Sequence, residues 1–338
     1  MTGRPIRVAL DRNDESWTSQ FTYMSNLSEE LSRHPGVQLV PRDRSPDIVH
    51  LNYLNPVGRL VHGKESYERH LRDIAALVTG LDAALVVTEH GVEEFSDLRQ
   101  SMYLDEYPRV SAVADWTKRQ LSRFVGSRAD RIIAISSMDR DFLVQSGFQP
   151  QTVRHVPHGV EESFFASERA DEDFVLHVSK CSPHKNPEAV VETARRIDRR
   201  TVVVGGGWEE HYGAELAAID SVELKGFVEK SELRRLYRTA GVFYFPSTYE
   251  PFGLPILEAL AAGTPVVASV NSAAGDFDTD GVELVNPEGV EDHVDALENL
   301  LQDPAERRRR GDAARSFAGG MTWEHTAERT VDIYEELV

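Results

Sequence analysis

The stretch that decides the fold covers residues 241–269 and reads GVFYFPSTYEPFGLPILEALAAGTPVVAS. It opens with an apolar run that ends in a proline, which is typical of a buried parallel strand. Pro255 suits the first turn of a helix, and Gly263 supplies a helix C-terminal cap. A second apolar run begins at Val266. The stretch therefore predicts a strand, a turn, a short helix and another strand.

The predicted turn and helix also indicate a ligand. At the start of the helix, Gly253, Leu254 and Ile256 are expected to leave backbone N–H groups unpaired, and the helix dipole makes such an end attractive to phosphate. Glu250 and Glu258 lie eight positions apart on either side of this point. Because a carboxylate repels a diphosphate, both are expected to bind hydroxyl groups that flank it. A nucleotide sugar has hydroxyls, two phosphates and ribose hydroxyls in that order.

The whole block resembles the E-x7-E region of the GT-B fold retaining glycosyltransferases of the family 4 type, also called glycosyl transferases group 1. The resemblance implies that Glu250 contacts the transferred sugar and Glu258 the donor ribose. It also implies that Phe252, Gly253 and Leu254 bind the donor nucleotide sugar.

A second motif follows the strand that opens the second half of the chain. Residues 176–186 read LHVSKCSPHKN and carry two lysines, Lys180 and Lys185. Ligands of parallel sheets bind where strands end, and two cations there can neutralise a diphosphate leaving group. The segment is similar to the basic loop of the family, although Lys180 stands where arginine is usual, which removes bidentate pairing. A pair of solvated surface lysines is the alternative.

His90 follows an apolar run at residues 84–88. A lone histidine is more often structural than functional. The context here resembles the first-domain histidine of the family, which approaches the donor sugar near the reacting centre. The resemblance therefore makes His90 a catalytic candidate together with Glu250 and Lys185.

Each of two further segments has two possible interpretations. Gly226, Phe227 and Val228 resemble the family segment that meets the nucleotide base, but Phe227 could equally pack in the core. The three glycines at residues 205–207 could bring the backbone close to a ligand or could form a plain tight turn.

Strands alternate with helices along the chain and the pattern restarts once, which indicates an α/β fold with parallel sheets. The expected architecture is GT-B, with two doubly wound Rossmann-like domains facing a central cleft. We expect an acceptor-side domain at residues 1–165 and a nucleotide-sugar-binding domain at residues 166–322. By resemblance, a C-terminal helix at residues 323–338 is expected to cross back to the first domain.

Composition narrows the function classes. The 338-residue chain has a formal net charge of −19, which disfavours binding to nucleic acid. One cysteine, Cys181, leaves no disulfide partner and no cysteine-cluster metal site. No apolar run approaches 18 residues and no signal-peptide pattern is present, so a cytoplasmic location is expected.

Two other segments carry weaker signals. Residues 116–124 mix bulky apolar and basic side chains, which makes a peripheral contact with the inner face of a membrane a candidate beside an ordinary exposed helix. Residues 276–278 read D-x-D, a metal–diphosphate signature of a different glycosyltransferase fold. The resembled family needs no bound metal, so no metal and no cofactor are expected.

These observations predict a retaining, metal-independent glycosyltransferase. Its substrates would be a nucleotide-sugar donor and a glycan, lipid-linked or small-molecule acceptor. A nucleotide-sugar epimerase or a phosphorylase of the same fold is one alternative. A catalytically silent GT-B protein that only binds a glycan or a partner is another.

Overall fold

The structure is a computed structural model that describes residues 4–10, 19–52, 80–90, 123–165 and 169–338, with the backbone alone for residues 19–22. The sequence pattern also predicts helices at residues 67–78 and 110–124, and these segments fall largely outside the described ranges. So does most of the basic and apolar segment at residues 116–124, whose contact with a membrane stays a prediction.

The chain divides into two compact units. The first unit contains Met1–His158 and Trp323–Val338, and the second contains Gly159–Thr322. The expected division lay after residue 165, whereas the compact units divide after residue 158. The residues between these points join the second unit because Val160 donates its backbone N–H to the Met321 carbonyl, 2.8 Å away.

The first unit is built on a six-stranded sheet in which every pairing is parallel. Its strands, in the order β2-β1-β3-β4-β5-β6, are β1 (Ile6–Leu10), β2 (Val37–Leu39), β3 (Ile48–Leu51), β4 (Ala84–Glu89), β5 (Arg131–Ala134) and β6 (Val153–His155). Its helices with defined bounds are Ser19–Arg33, Ser137–Gln145 and the C-terminal Trp323–Glu335.

The second unit repeats this architecture around another six-stranded parallel sheet. Its strands, in the order β12-β11-β10-β7-β8-β9, are β7 (Phe174–Val178), β8 (Arg200–Val204), β9 (Val222–Gly226), β10 (Val242–Phe245), β11 (Val266–Ser269) and β12 (Val282–Val285). Its helices are Pro187–Arg196, Trp208–Ala217, Lys230–Thr239, Leu254–Ala261, Val290–Gln302 and Pro304–Ala318.

The strand order of the second unit fixes where a ligand can bind. The chain starts in the middle of the sheet at β7, adds β8 and β9 on one side, and then returns to place β10 on the other side of β7. The connections thus leave β7 and β10 in opposite directions, which opens a crevice at the carboxyl ends of these two strands. All four residues of β10 are buried, as the continuous apolar run predicted. The prediction of a doubly wound α/β fold is confirmed.

Two elements of the second unit were not predicted. The helix Trp208–Ala217 buries little besides Trp208 and Leu216, so its sequence shows no continuous apolar face. Strand β12 lies at the sheet edge, where three of its four residues are partly or fully exposed. Both elements carry weak periodic signals for the same reason, since neither is enclosed on all sides.

The C-terminal helix is tied to the sheet of the first unit by a buried polar network. Tyr334 and His50 are joined through the Tyr334 hydroxyl and Nδ1 of His50 at 2.6 Å, and Nε2 of His50 lies 2.7 Å from the Thr88 hydroxyl. The Tyr23 hydroxyl is also hydrogen-bonded to the Thr88 hydroxyl at 3.1 Å. Burial lowers the pKa of His50 to about 3, so its ring is neutral at physiological pH.

None of the helices in the described part of the chain combines the length and the apolar character needed to cross a membrane.

Candidate functional site

The loops that follow β7 and β10 bring Lys185 and Glu250 together. The Lys185 ammonium group contacts the Glu250 carboxylate, and it also lies 5.1 Å from the centre of the Phe245 ring. The two charged side chains are only 17% and 9% exposed, respectively. Partial removal from water strengthens the attraction between opposite charges. The sequence placed these residues in two separate motifs, and the fold joins them at the switch point of the sheet.

Asn186 fixes the Lys185 loop to the ends of the neighbouring strands. Its backbone is left-handed, with φ of 57°. Its side-chain amide donates to the carbonyls of Pro246 at 3.1 Å and of Pro287 at 2.8 Å. The patterns in the sequence did not single out Asn186 as a positioning residue. Its residue type, which tolerates left-handed backbone, is the signal that could have found it.

The backbone of Glu250 is held by the loop after β11. Its N–H donates to the Asn271 carbonyl at 3.0 Å, and its carbonyl accepts from the Ala273 N–H at 3.1 Å. The Thr248 N–H, two residues earlier, donates to the His184 carbonyl at 2.9 Å. The Glu250 side chain therefore projects from a backbone that is fixed on both sides.

Gly253 begins the short helix in a conformation that favours glycine, with φ of +82°. A Cβ at this position would lie 2.8 Å from Cδ1 of Ile256 and 3.2 Å from Cγ of Glu250. Glycine is thus required both by the backbone angle and by the space beside Glu250.

One expectation about the helix start was wrong. The Ile256 N–H is not available to a ligand, because it donates to the Gly253 carbonyl at 2.8 Å. Within the described residues, no acceptor is bonded to the N–H groups of Gly253 and Leu254. The ring of Phe252 is buried and packs against Phe277 with centroids 6.0 Å apart, so that only its backbone is suited to meet a ligand.

Glu258 lies farther along the same helix and is partly exposed. Burial of the carboxyl group raises its pKa to about 7, and the Tyr237 hydroxyl acts in the opposite direction. A carboxyl group with this pKa changes its charge close to neutral pH.

Lys180 lies on the same loop as Lys185, but its side chain is exposed. No carboxylate of the described residues forms an ion pair with it. The loop packs closely on the glycines after β8, where a Cβ on Gly205 would fall 2.0 Å from the Ser179 carbonyl oxygen. The Cys181 N–H donates to the Gly206 carbonyl at 2.9 Å. The glycines therefore allow two strand-end loops to pack backbone against backbone.

Phe227 projects into solvent and is 86% exposed, which rules out the alternative that it packs in the core. Gly226 before it has φ of +60°, and a Cβ on Gly206 would lie 3.7 Å from the Phe227 ring. Val228 is partly buried. An exposed aromatic ring beside the glycine loop can stack on another flat ring.

His90 lies in the first unit, just after β4. Its Nε2 is 2.6 Å from the Asn52 side-chain oxygen. Its ring stacks on His158 with centroids 5.3 Å apart and meets Tyr23 edge-on at 4.6 Å. Trp323 packs behind both neighbours, at 5.6 Å from His158 and 5.9 Å from Tyr23. These contacts fix the ring orientation of His90, whereas its predicted role stays a prediction.

The D-x-D tripeptide has no metal-site geometry in the described structure. Asp276 and Asp278 are exposed, and Phe277 between them is buried. Across the described ranges, no group of three or more histidine, cysteine, aspartate or glutamate side chains is arranged to hold a metal ion.

Two family profiles match consecutive parts of the chain. Residues 14–164 match Glycosyltransferase Family 4, and residues 160–317 match Glycosyl transferases group 1. The chain belongs to this glycosyltransferase family. The resemblance inferred from the E-x7-E block is therefore confirmed at the level of the family.

The relatives of this chain are named for different substrates. The chain is 36% identical over 238 residues to a D-inositol 3-phosphate glycosyltransferase of Kribbella flavida. This match covers 61% of the chain and 56% of the relative. The chain is also 28% identical over 304 residues to an MMP alpha-(1->4)-mannosyltransferase of Mycolicibacterium hassiacum, which covers 83% and 73%. The match thus spans little more than half of the length of the Kribbella relative.

Solved structures show that the chain has the GT-B fold. Sucrose-phosphate synthase from Thermosynechococcus elongatus superposes with a TM-score of 0.75 at 20% identity, and the match covers 99% of both chains. Anabaena HepE, solved in complex with UDP and glucose, gives 0.73 at 14% identity over 98% of this chain and 100% of the other. At these identities the likeness concerns the fold alone.

Proposed function

We propose that this protein is a retaining glycosyltransferase that binds a nucleotide-sugar donor on its second unit. The observation that carries the proposal is the convergence of three features at the β7–β10 switch point. These features are the Lys185 ammonium group, the Glu250 carboxylate and the N–H groups of Gly253 and Leu254, which have no acceptor among the described residues.

The donor diphosphate would be bound by the lysines and by the N–H groups at the start of the short helix. Lys185 and Lys180 would supply two cations, and the N–H groups of Gly253 and Leu254 would donate to phosphate oxygens at the positive end of the helix. Such preorganised donors stabilise the charge that develops on a leaving group.

The remaining groups suit the two ends of the donor. Glu250 would accept hydrogen bonds from the sugar hydroxyls, and Glu258 from the ribose hydroxyls. The exposed ring of Phe227 would stack on the nucleotide base, with Gly226 and Val228 beside it.

The proposed step breaks the bond between the anomeric carbon and the diphosphate oxygen. The electron pair of that bond leaves with the diphosphate. The acceptor hydroxyl oxygen forms the new bond on the face that the diphosphate leaves, and its proton passes to the departing phosphate oxygen. Glu250 is engaged by Lys185, so we assign it to hold the sugar rather than to attack it. His90 stays a candidate contact to the sugar.

Charge neutralisation by the lysines and the helix start supports the expectation that no metal is needed. Turnover that is unchanged after treatment with EDTA is the expected result. Loss of turnover that added Mg²⁺ restores would show that this expectation is wrong.

The direct test of the proposed function is turnover with a panel of nucleotide sugars. We expect at least one donor to be hydrolysed slowly without an acceptor and transferred with one. UDP sugars come first because HepE was solved with UDP and glucose, and inositol 3-phosphate belongs among the acceptors because the Kribbella relative is named for it. The anomeric configuration of the product, read by NMR, tests retention.

A matched pair of variants links turnover to the site. Lys185→Ala removes a cation at the switch point, whereas Arg309→Ala removes an exposed cation that pairs with Glu306 and Asp280 elsewhere in the second unit. We expect only the first variant to lose turnover. Donor binding without turnover under any condition would favour the silent binding protein. Interconversion of free nucleotide sugars would indicate an epimerase, and phosphate-dependent cleavage of a glycan a phosphorylase.

A further inference from the structure

His177 joins the ends of the two strands that flank the crevice. It lies in β7, and its ring is fully buried. Its Nδ1 lies 2.9 Å from the carbonyl oxygen of Tyr244 in β10, and its Nε2 lies 2.7 Å from the Ser179 hydroxyl. Because a carbonyl oxygen only accepts hydrogen bonds, Nδ1 carries the hydrogen of the neutral ring. Nε2 therefore accepts from the Ser179 hydroxyl.

The ring of His177 is neutral at physiological pH. Burial lowers its pKa to about 4, and the charge of Lys185 acts in the same direction. The hydrogen bond to the Tyr244 carbonyl acts in the opposite direction. The neutral ring has one donor and one acceptor nitrogen, which matches the carbonyl on one side and the hydroxyl on the other.

Ser179 is fixed at three points where the lysine loop, residues 180–186, begins. Its N–H donates to the Val204 carbonyl at 3.0 Å, and its carbonyl accepts from the indole N–H of Trp208 at 2.8 Å. Its hydroxyl supplies the third bond, to His177. Trp208 is fully buried and meets the His177 ring edge-on, with centroids 5.2 Å apart. The start of the lysine loop is thus anchored in the core of the second unit.

A ring contact links His177 to the other end of the lysine loop. The His177 ring stacks on Phe245, with centroids 5.8 Å apart and an angle of 23° between the ring planes. The Lys185 ammonium group lies 5.1 Å from the centre of the same Phe245 ring, where the ring attracts a cation. His177 therefore supports the loop at its start through Ser179 and near its end through Phe245.

We propose that His177 is a positioning residue that holds the lysine loop in the conformation that binds the donor diphosphate. It acts through Ser179 and Phe245 and does not itself contact the donor. A loop that already has its bound conformation loses less conformational freedom when the ligand binds, so affinity is higher. This inference rests on the proposed function.

The test is calorimetric titration of the whole protein with ADP, GDP and UDP at pH 7. Ser179→Ala removes the hydroxyl but keeps the backbone bonds to Val204 and Trp208, and His177→Phe keeps a ring beside Phe245 but removes both nitrogens. Each variant should weaken binding of the nucleotide that the wild type binds by about tenfold, since a buried hydrogen-bonding partner is left unsatisfied. The double variant should bind no more weakly than His177→Phe, because both changes break the same link.

The matched control is Thr264→Val. The Thr264 hydroxyl is also buried and donates one hydrogen bond, to the Tyr237 carbonyl at 2.5 Å. It lies just before β11, at the sheet edge opposite the carboxyl ends of the strands. This variant should bind the nucleotide as the wild type does. A deficit as large as that of Ser179→Ala would show a general loss of stability and would overturn the inference.

Two spectroscopic measurements separate positioning from a merely structural role. Nitrogen NMR of labelled histidine should show His177 with its hydrogen on Nδ1. Hydrogen exchange of residues 180–186 should be faster in Ser179→Ala than in wild type without nucleotide, and the difference should shrink at saturation. The opposite tautomer, or equal exchange in the free proteins, would overturn the inference.

The affinities distinguish failure of this inference from failure of the proposed function. Wild-type affinity in both Ser179→Ala and His177→Phe would overturn the inference and leave the proposed function standing. A wild type that binds none of the three nucleotides and turns over no nucleotide sugar would overturn both.

Discussion

The ammonium group of Lys185 contacts the carboxylate of Glu250, 65 positions away in the chain. In the proposed mechanism the first group serves the diphosphate and the second serves the sugar. Without a donor each is the counter-ion of the other, so neither charge is left uncompensated in a site that is largely removed from water. A donor would supply new partners to both.

Breaking this pair is expected to affect stability and turnover separately. Lys185→Ala should lower kcat/KM about 100-fold, equivalent to ~3 kcal/mol of transition-state stabilisation. It should also destabilise the second unit by about 3 kcal/mol, because Glu250 stays buried without a counter-charge. Steady-state kinetics and urea denaturation measure the two effects.

The double variant Lys185→Met with Glu250→Gln distinguishes these effects. It should recover most of the lost stability but none of the turnover. Lys180→Ala provides the control for stability, because Lys180 is exposed and has no ion pair in the described structure. Recovery of turnover in the double variant would remove both residues from the mechanism.

Gly253→Ala should impair the site through the position of Glu250. The left-handed backbone angle by itself should cost about 1–2 kcal/mol of unfolding free energy. The new Cβ would also crowd Glu250 and Ile256, so donor affinity should fall as well. Gly147→Ala is the matched control, since Gly147 has φ of +100° and open space around it. Equal donor affinity in both variants would contradict the prediction.

Phe227→Ala should weaken nucleotide binding without loss of stability. Stacking of a base on an aromatic ring is worth about 1–3 kcal/mol, so we expect Kd to rise about tenfold or more. Thermal denaturation should be unchanged, because the ring is 86% exposed. Leu284→Ala removes another exposed apolar side chain, on β12, and should leave Kd as it is. Unchanged binding by Phe227→Ala would show that its ring is not a base platform.

Glu258→Gln should gain stability relative to the wild type as pH rises. The folded protein raises the pKa of Glu258 from 4.5 to about 7, so ionisation above this range favours unfolding. The protonated carboxyl group of Glu258 stabilises the folded wild type relative to its ionised form. This stabilisation is fully present below pH 4.5 and is lost as the pH rises to about 7. The unfolding free energy of Glu258→Gln should therefore gain up to about 3 kcal/mol on that of the wild type by pH 8.

Thermal denaturation at pH 5 and pH 8 measures this difference. Glu215→Gln, at an exposed position in the same unit, should show no such change with pH. A Glu258→Gln variant that is equally stable relative to wild type at both values would contradict the raised pKa.

Tyr334→Phe should loosen the C-terminal helix from the first unit. Removal of the hydroxyl leaves Nδ1 of buried His50 without its 2.6 Å partner. The expected loss is about 1–3 kcal/mol of unfolding free energy. Urea denaturation and hydrogen exchange of the helix Trp323–Glu335 measure it, with Tyr212→Phe as the control on a partly exposed surface. Unchanged exchange of this helix would contradict the role assigned to the network.

Much of the fold could be predicted from the sequence, because the spacing of apolar residues and the positions of glycine and proline are local features. The run before Glu250 was identified as a buried strand from its continuous apolar residues, and β10 is buried throughout. The helix Trp208–Ala217 and β12 could not be identified, because partly exposed elements carry little apolar pattern. The start of the short helix was predicted from glycine and proline, but the use of the Ile256 N–H depends on the tight first turn.

For the candidate site, the sequence by itself determined the chemical groups: two glutamates at a fixed spacing, two lysines in one loop and a glycine before a helix. Only the tertiary structure decided that Lys185 pairs with Glu250 and that Phe227 faces solvent. The physical reason is the crossover topology of a parallel sheet. Strands that are neighbours in space are distant in sequence, so no local pattern records which loops meet at their ends.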